Sequence, residues 1–267
     1  MVGHKSESFL EFSLDTSGPE NLVMTSATDY TEDTLYGGRI KCLQHRNGYR
    51  FSVDAVLLGN FILPRPGDRI LDLGCGCGII SLILTYRWPN VSITGLEIQP
   101  NLASLARKNV ELNNWHERIE ILPGDLKEIK KYAESGSFDW IISNPPYRKS
   151  GSGRVNPGDE QAFARHEQLA DLASVVKAAV WAVKKRGKVV LIYPASRGAA
   201  VIAELKNAGL EPKKMLPIFS YPGSSASLLI IEAVKHGGEE MTILPPFYIY
   251  QKRDGEYSRE MAKYYSP

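Results

Sequence analysis

One segment of the sequence ends in residues whose types and order suit a specific chemistry. The apolar run Phe138–Ser143 is followed by Asn144, Pro145, Pro146 and Tyr147. Two consecutive prolines fix φ and supply no backbone N–H, so neighbouring carbonyl groups face outward as acceptors. The Asn144 side chain and the Pro145 carbonyl can each accept a hydrogen from an amino group, while Tyr147 stacks on its planar carrier. The motif therefore predicts a catalytic site that aims the lone pair of a planar amino nitrogen at an electrophile, mainly by positioning.

A glycine-rich loop indicates what supplies that electrophile. The predicted strand Arg69–Leu73 runs into Gly74, Gly76 and Gly78, which permit a sharp turn and leave room for a ligand. The dinucleotide fingerprint has its third glycine three positions after the second, whereas the spacing here is two. Asp72 would also repel a pyrophosphate. These features favour a cationic, phosphate-free nucleoside cofactor, S-adenosylmethionine, over NAD.

Two further acids follow predicted strands and complete the expected cofactor site. Glu97 ends the predicted strand 91–97, where a carboxylate can accept from both ribose hydroxyls. Asp125 follows the next strand and either accepts from the adenine amino group or caps the helix that follows, and these two roles are compatible. Ile98 and Leu126, the next residues after these acids, are expected to contact the cofactor as well, and so is Asn144 of the catalytic motif.

Alternating apolar runs and amphipathic segments supply the elements that must position these residues. They predict an α/β, class I (Rossmann-like) fold with a seven-stranded, mostly parallel sheet, helices on both faces and an antiparallel last strand. The predicted strands are 69–73, 91–97, 119–122, 138–143, 188–193, 214–219 and 226–235. The predicted helices are 78–88, 100–113, 126–133, 167–185 and 196–208.

The N-terminal part of the chain differs in composition from the rest. Residues 1–35 contain seven acids and one lysine and are expected to form a flexible extension. Residues 36–267 are expected to form one domain with a C-terminal tail. It would begin with a hairpin over 39–52, turning at Asn47-Gly48, and a helix capped by Ser52.

Composition restricts the compartment and the partners. The sequence contains three cysteines and no apolar run long enough to cross a membrane, so we expect a cytoplasmic protein, a monomer without a metal. Cys75 and Cys77 are interpreted as small residues that fill a tight turn. Outside the acidic extension the chain carries a net positive charge, which suits a polyanion or merely aids solubility. Basic residues near the catalytic motif are candidates for phosphate contacts: Arg148, Lys149, Arg165 and His166.

The catalytic motif and three flanking segments resemble a known family. The motif is shared by amino-methyltransferases that act on adenine N6, guanine N2 or glutamine N5. Segments 48–58, 164–167 and 244–250 narrow the resemblance to the bacterial tRNA1(Val) (adenine(37)-N6)-methyltransferases. Two features depart from the family pattern, namely the acidic extension and the cysteine at position 77.

This resemblance implies a function and further site residues. It implies N6-methylation of an adenine in the anticodon-loop region of a tRNA, with S-adenosylmethionine converted to S-adenosylhomocysteine. It also places Phe51, Ser52 and Asp54 near the cofactor and the 165–167 segment near the target loop. The alternatives are a guanine-N2 rRNA enzyme and a glutamine-N5 protein enzyme, which usually carry a substantial N-terminal substrate domain.

Overall fold

The computed structural model describes residues 30–46, 51–145 and 172–266. The strands are β1 (Tyr30–Leu35), β2 (Ile40–His45), β3 (Arg69–Leu73), β4 (Ser92–Glu97), β5 (Ile119–Pro123), β6 (Phe138–Ser143), β7 (Val183–Pro194), β8 (Leu210–Phe219), β9 (Ala226–Lys235), β10 (Thr242–Ile243) and β11 (Phe247–Tyr248). The α-helices are α1 (Val53–Phe61), α2 (Ile79–Arg87), α3 (Pro100–Leu112), α4 (Leu172–Ala182), α5 (Gly198–Asn207) and α6 (Arg259–Lys263). Short 3-10 helices cover Leu126–Lys131 and Ala195–Arg197.

The central sheet confirms the predicted class I architecture. Its strand order is β10-β8-β9-β7-β6-β3-β4-β5, and β11 also pairs with β8. The pairs that join β7, β6, β3, β4 and β5 are parallel, whereas β9 is antiparallel to both of its neighbours. All seven predicted strands are present, and the two-residue strands β10 and β11 extend the sheet to nine. Strand order reverses at β3, which is where ligands bind in sheets of this type.

Both faces of the sheet are buried, as the apolar strands predict. In β3, Ile70 packs with α1, α2 and α3, while Leu71 and Leu73 pack with α4, α5 and the 3-10 helix 126–131. Ile142 and Ile141 of β6 divide between the same two layers. Because successive strand residues point to opposite faces, near-continuous apolar strands require helices on both sides. No helix within the described ranges is long and apolar enough to span a membrane.

The N-terminal hairpin is shifted along the chain relative to the prediction. Tyr30–Leu35, assigned to the flexible extension, forms β1 and pairs antiparallel with β2, and the turn lies at residues 36–39. The alternation in β1 is weak because its residues are mostly polar, so the local pattern did not reveal the strand. The predicted turn residues Asn47 and Gly48 and the remainder of the extension, residues 1–29, lie outside the described residues.

Two helix predictions also need correction. The helix predicted for 126–133 is a 3-10 helix that ends at Lys131. The helix predicted for 167–185 is described from Leu172 and ends at Ala182, because residues 183–185 already belong to β7. Val183 pairs with Phe138 of β6, so sheet pairing overrides the helical periodicity at this end.

Asn109 of α3 and Asn113, the residue that caps the end of this helix, attach the hairpin to the main body. The Asn109 side chain accepts from the Leu43 N–H at 2.7 Å and donates to the Leu43 carbonyl at 3.0 Å and the Cys77 carbonyl at 2.9 Å. One turn further on, the Asn113 amide makes the same pair of bonds to the backbone of Lys41 at 2.9 and 2.7 Å. The two side chains thereby provide hydrogen-bond partners for backbone N–H and C=O groups of β2. Asn109 also joins this strand to the glycine loop through the Cys77 carbonyl.

Replacing Asn109 with alanine should lower the free energy of unfolding by roughly 2–4 kcal/mol, because buried backbone groups lose their partners. Asn113→Ala, the same change at a more exposed end of the interface, should cost about 1 kcal/mol. Urea denaturation followed by circular dichroism measures both. Equal losses in the two variants would contradict the special role assigned to Asn109.

Candidate active site

The strand order brings the predicted site residues to one edge of the sheet. Asn144 and the glycine loop directly follow β6 and β3, Glu97 ends β4, and Asp125 lies two residues after β5. These four strands are adjacent in that order. The four strands are parallel, so their carboxyl ends meet at a single edge. Register keeps them level, since Asp72 pairs with Ile142 and Glu97 with Pro123. This edge is the expected ligand position in an open α/β sheet.

The glycine loop turns through the left-handed backbone region. Gly74, Gly76 and Gly78 have φ values of 74°, 58° and 84°. The Gly74 N–H donates to the Leu96 carbonyl at 2.8 Å, which holds the start of the loop against β4. A Cβ at Gly74 or Gly76 would meet no atom of the described structure within 4 Å, so space lies in front of the loop. A backbone with this conformation and open space can admit a ligand closely.

Asp72 is a buried acid with an unsatisfied oxygen. Its side chain is fully buried, and Oδ2 accepts from the Ser81 hydroxyl at 2.9 Å. Oδ1 has no hydrogen-bond partner among the described residues. Burial raises the pKa of Asp72 to about 7, although the Ser81 bond acts in the opposite direction. A buried carboxylate without a counter-charge is costly, so this oxygen is suited to a cationic ligand group.

Glu97 connects the second strand end to the glycine loop. Its Oε2 accepts from the Gly76 N–H and its Oε1 from the Gln99 N–H, both at 2.9 Å. Burial raises the pKa of Glu97 as well, while the backbone bonds counteract the shift. Its negative charge also contributes to the raised pKa of Asp72. Each oxygen keeps further acceptor capacity for hydroxyl groups.

At the end of β5, the capping role considered for Asp125 is confirmed. Its Oδ1 accepts from the Lys127 N–H at 2.8 Å, at the start of the 3-10 helix. A cofactor contact through the second carboxylate oxygen stays a prediction. Leu126 is buried in the apolar layer that contains α4. Ile98 lies between Glu97 and Gln99, which are joined by the hydrogen bond from the Gln99 N–H to the Glu97 carboxylate.

The catalytic motif begins directly after β6. Asn144 is partly buried and Pro145 is buried. The preceding Ser143 hydroxyl donates to the Leu73 carbonyl at 2.7 Å, which fixes the end of β6 beside the start of the glycine loop. The other predicted catalytic and substrate-binding residues lie outside the described residues: Pro146, Tyr147, Arg148, Lys149, Arg165 and His166.

Phe51 and Ser52, directly before α1, link this helix to the hairpin. The Phe51 N–H donates to Gln44 Oε1 at 2.7 Å. Ser52 is the N-cap residue of α1 as predicted, but its side chain makes no capping bond, and Oγ is buried without a partner among the described residues. Asp54 lies in the first turn of α1. The Ser52 hydroxyl is therefore available to a ligand rather than committed to the helix.

Comparison with known proteins identifies the family. The sequence matches the methyltransferase small domain family over residues 53–199, more than half of its 267 residues. A tRNA1(Val) (adenine(37)-N6)-methyltransferase of Shewanella frigidimarina is 30% identical over 206 residues, covering 74% of this chain and 81% of the relative. The chain belongs to the methyltransferase small domain family. An enzyme of the same name from Dyadobacter fermentans is 27% identical, covering 78% and 85% of the two chains.

Solved structures support the fold of this methyltransferase. A predicted O-methyltransferase from Agrobacterium tumefaciens superposes with a TM-score of 0.65 at 20% identity, covering 79% of this chain and 94% of the other. A putative transferase from Pyrococcus horikoshii gives a TM-score of 0.54 at 16% identity, covering 77% and 72%. At these identities the likeness concerns the fold alone.

The residues of the methyltransferase fit a nucleoside cofactor with a cationic end. Asp72 Oδ1 and Ser52 Oγ are buried polar atoms without described partners, and the glycine loop faces open space. Buried polar atoms are normally hydrogen-bonded, so these two atoms beside the loop are available for contacts with a ligand. Among the described residues no group of three or more histidine, cysteine, aspartate or glutamate side chains could hold a metal ion.

Sequence reasoning missed three residues that support this site. Ser81 holds Asp72, Ser143 holds the end of β6, and Asn109 joins the glycine loop to the hairpin. Ser81 carried a detectable signal, since it is a polar residue in the otherwise apolar stretch Ile79–Leu84 that begins α2. Ser143 and Asn109 carried none, because their partners lie 70 and 32 residues away in the chain.

Proposed function

We propose that this methyltransferase transfers a methyl group from S-adenosylmethionine to N6 of an adenine in the anticodon-loop region of a tRNA, adenine 37 of a tRNA1(Val)-like substrate. The observation that carries the proposal is the placement of Asn144 and the acid-lined glycine loop on the adjacent strands β6 and β3. Relatives that are named as tRNA1(Val) (adenine(37)-N6)-methyltransferases and that match most of the chain support this substrate. A tRNA substrate also favours a cytoplasmic location. We also propose that the enzyme is a monomer.

Three acids would hold the cofactor. The buried Asp72 carboxylate would face its ammonium group, Glu97 would accept from the ribose hydroxyls, and Asp125 would accept from the adenine amino group. Backbone at Gly74, Gly76 and Gly78 would cover the ligand without side chains in between. When bound, S-adenosylmethionine supplies an electrophilic methyl group on a sulfonium. Ser52, with Phe51 and Asp54 beside it, would border the same site.

Asn144 and Pro145 would orient the nitrogen that is methylated. The Asn144 side-chain oxygen and the Pro145 carbonyl each accept one N6 hydrogen, which directs the nitrogen lone pair away from the ring plane. Tyr147 stacks on the adenine, which must leave its own stack to enter the site. The N6 proton becomes acidic only as the new N–C bond forms, so no strong base is required beforehand. Arg148, Lys149, Arg165 and His166 would contact tRNA phosphates or the target loop.

Methyl transfer to defined transcripts tests the proposal. Purified enzyme and radiolabelled S-adenosylmethionine should label an unmodified tRNA1(Val) transcript, and nucleoside mass spectrometry should identify N6-methyladenosine. A transcript with guanine in place of adenine 37 is the matched control and should remain unlabelled. Formation of N2-methylguanosine in rRNA, or of a methylated glutamine in a protein, in place of N6-methyladenosine would support the alternative enzymes instead.

A further inference from the structure

Two cysteines that are distant in sequence lie side by side next to the glycine loop. Cys42 of β2 and Cys77 of the loop have their Sγ atoms 3.9 Å apart. Cys42 is fully buried and Cys77 is 9% exposed. The same place holds the Asn109 amide, whose Nδ2 is 3.6 Å from Cys42 Sγ and 2.9 Å from the Cys77 carbonyl oxygen. The loop, the hairpin and α3 therefore meet at this thiol pair.

The surroundings lower the pKa of one thiol of this pair. The hydrogen bond with Cys42 lowers the pKa of Cys77, and the Ile79 N–H at the start of α2 acts in the same direction, against the effect of burial. Burial instead raises the pKa of Cys75, two residues earlier, well above its ordinary value. A thiol with thiolate character beside a second thiol is the arrangement in which oxidation yields a disulfide.

We propose that Cys77 is an oxidation site for hydroperoxides and that Cys42 converts the oxidised form into a disulfide. The Cys77 thiolate attacks one peroxide oxygen, the O–O bond breaks, and the departing oxygen takes up a proton, leaving a sulfenic acid on Cys77. Cys42 sulfur then attacks the Cys77 sulfur, the S–O bond breaks, and hydroxide leaves as water with the Cys42 proton. Two electrons pass from the thiol pair to the peroxide.

Closing this disulfide would change the shape of the glycine loop. A disulfide has an S–S distance of about 2.05 Å, so the sulfur atoms must approach from 3.9 Å. Cys77 lies between Gly76, whose N–H binds Glu97, and Gly78, where an added Cβ would lie 3.3 Å from the Ala106 Cβ. A loop held at both flanks transmits the movement to the ligand position. The disulfide should therefore weaken cofactor binding, and this consequence rests on the proposed function.

Cofactor binding should in turn oppose oxidation. If the disulfide lowers cofactor affinity by a given factor, the bound cofactor must disfavour the disulfide by the same factor, because the two equilibria are linked. Saturating S-adenosylhomocysteine should thus decrease the fraction of disulfide at a fixed ratio of oxidised to reduced glutathione. An unchanged fraction would contradict the coupling.

Peptide mapping tests the oxidation site without any cofactor. The full chain is treated with hydrogen peroxide, free thiols are alkylated, and proteolytic peptides are analysed by mass spectrometry. We expect a cross-link between the Cys42 and Cys77 peptides in the wild type and in Cys75→Ala, which retains the pair. Cys42→Ser should lose the cross-link and leave a Cys77 sulfenic acid that dimedone captures. Absence of the cross-link in the wild-type protein overturns the proposal, whether or not the variants fold.

Calorimetry with S-adenosylhomocysteine then tests the coupling. Reduced wild-type protein should bind the ligand, and the affinity of the cross-linked protein should be at least about tenfold lower. Reduction with dithiothreitol should restore the affinity. Equal affinities in the two forms would overturn the coupling while leaving the oxidation site standing. Failure of the reduced protein to bind contradicts the proposed function instead, so the two failures are distinguishable.

Discussion

Replacing Asn144 with alanine should lower the rate constant for methyl transfer to tRNA by roughly two to three orders of magnitude. The variant removes the acceptor that holds one N6 hydrogen and leaves the target nitrogen poorly aligned with the methyl group. Cofactor binding should survive, because the glycine loop, Asp72 and Glu97 are unchanged. Single-turnover transfer assays measure the rate, and calorimetry with S-adenosylhomocysteine measures the binding.

The matched control is Asn207→Ala. Asn207 is the exposed last residue of α5, a helix that follows β7 and ends at the opposite edge of the sheet. This variant should transfer methyl groups at the wild-type rate. Full activity of Asn144→Ala would contradict the positioning role of Asn144. A large loss of cofactor affinity in that variant would instead assign Asn144 mainly to the cofactor site.

Cofactor affinity should increase as the pH rises through about 7, where Asp72 ionises. With a pKa of about 7, the carboxylate form becomes about tenfold scarcer between pH 8 and pH 6. Only the carboxylate attracts the ammonium group of the ligand, so binding of S-adenosylhomocysteine should weaken by about the same factor. The raised pKa of Glu97 acts in the same direction. Calorimetric titrations at several pH values measure the effect.

Asp72→Asn separates the contribution of Asp72 from that of Glu97. The variant should bind S-adenosylhomocysteine roughly ten- to a hundredfold more weakly at pH 8 and should lose most of the pH dependence. Asp254→Asn, the same change at an exposed position, is the control and should bind like the wild type. An unchanged pH profile in Asp72→Asn would show that another group is responsible.

The same variant should be more stable than the wild type in the absence of ligand. The folded-state pKa of Asp72 is raised above its ordinary value of 3.8, so the folded state binds this proton more tightly than the unfolded state. The stability associated with Asp72 is therefore fully present below pH 3.8 and is lost as the pH rises through about 7. Asparagine avoids that loss, and the gain at pH 8 should be on the order of 2–4 kcal/mol. Urea denaturation of the variant and of the wild type at pH 6 and pH 8 measures the difference between their free energies of unfolding.

Local sequence patterns were sufficient for the central sheet and for the edge that carries the site. The strands Arg69–Leu73, Phe138–Ser143 and Ala226–Lys235 were predicted with their observed bounds. Such short apolar runs between turn residues report burial on both faces of a parallel sheet, which is a local property of the chain. Since parallel strands share one edge at their carboxyl ends, Asp72, Glu97 and the start of the catalytic motif could also be placed together without the structure.

The tertiary structure alone decided which distant residues support that edge. Polar residues of β1 carry little periodic signal, so this strand, and with it the true position of the hairpin, became recognisable only through its pairing with β2. From the sequence, Cys77 was likewise interpreted as a small residue in a turn, whereas packing places it beside Cys42. Local pattern reports whether a residue is buried, but its partner depends on chain folding across tens of residues. The amino acids thus determined the catalytic motif and its strands, and three-dimensional packing determined the contacts that hold them.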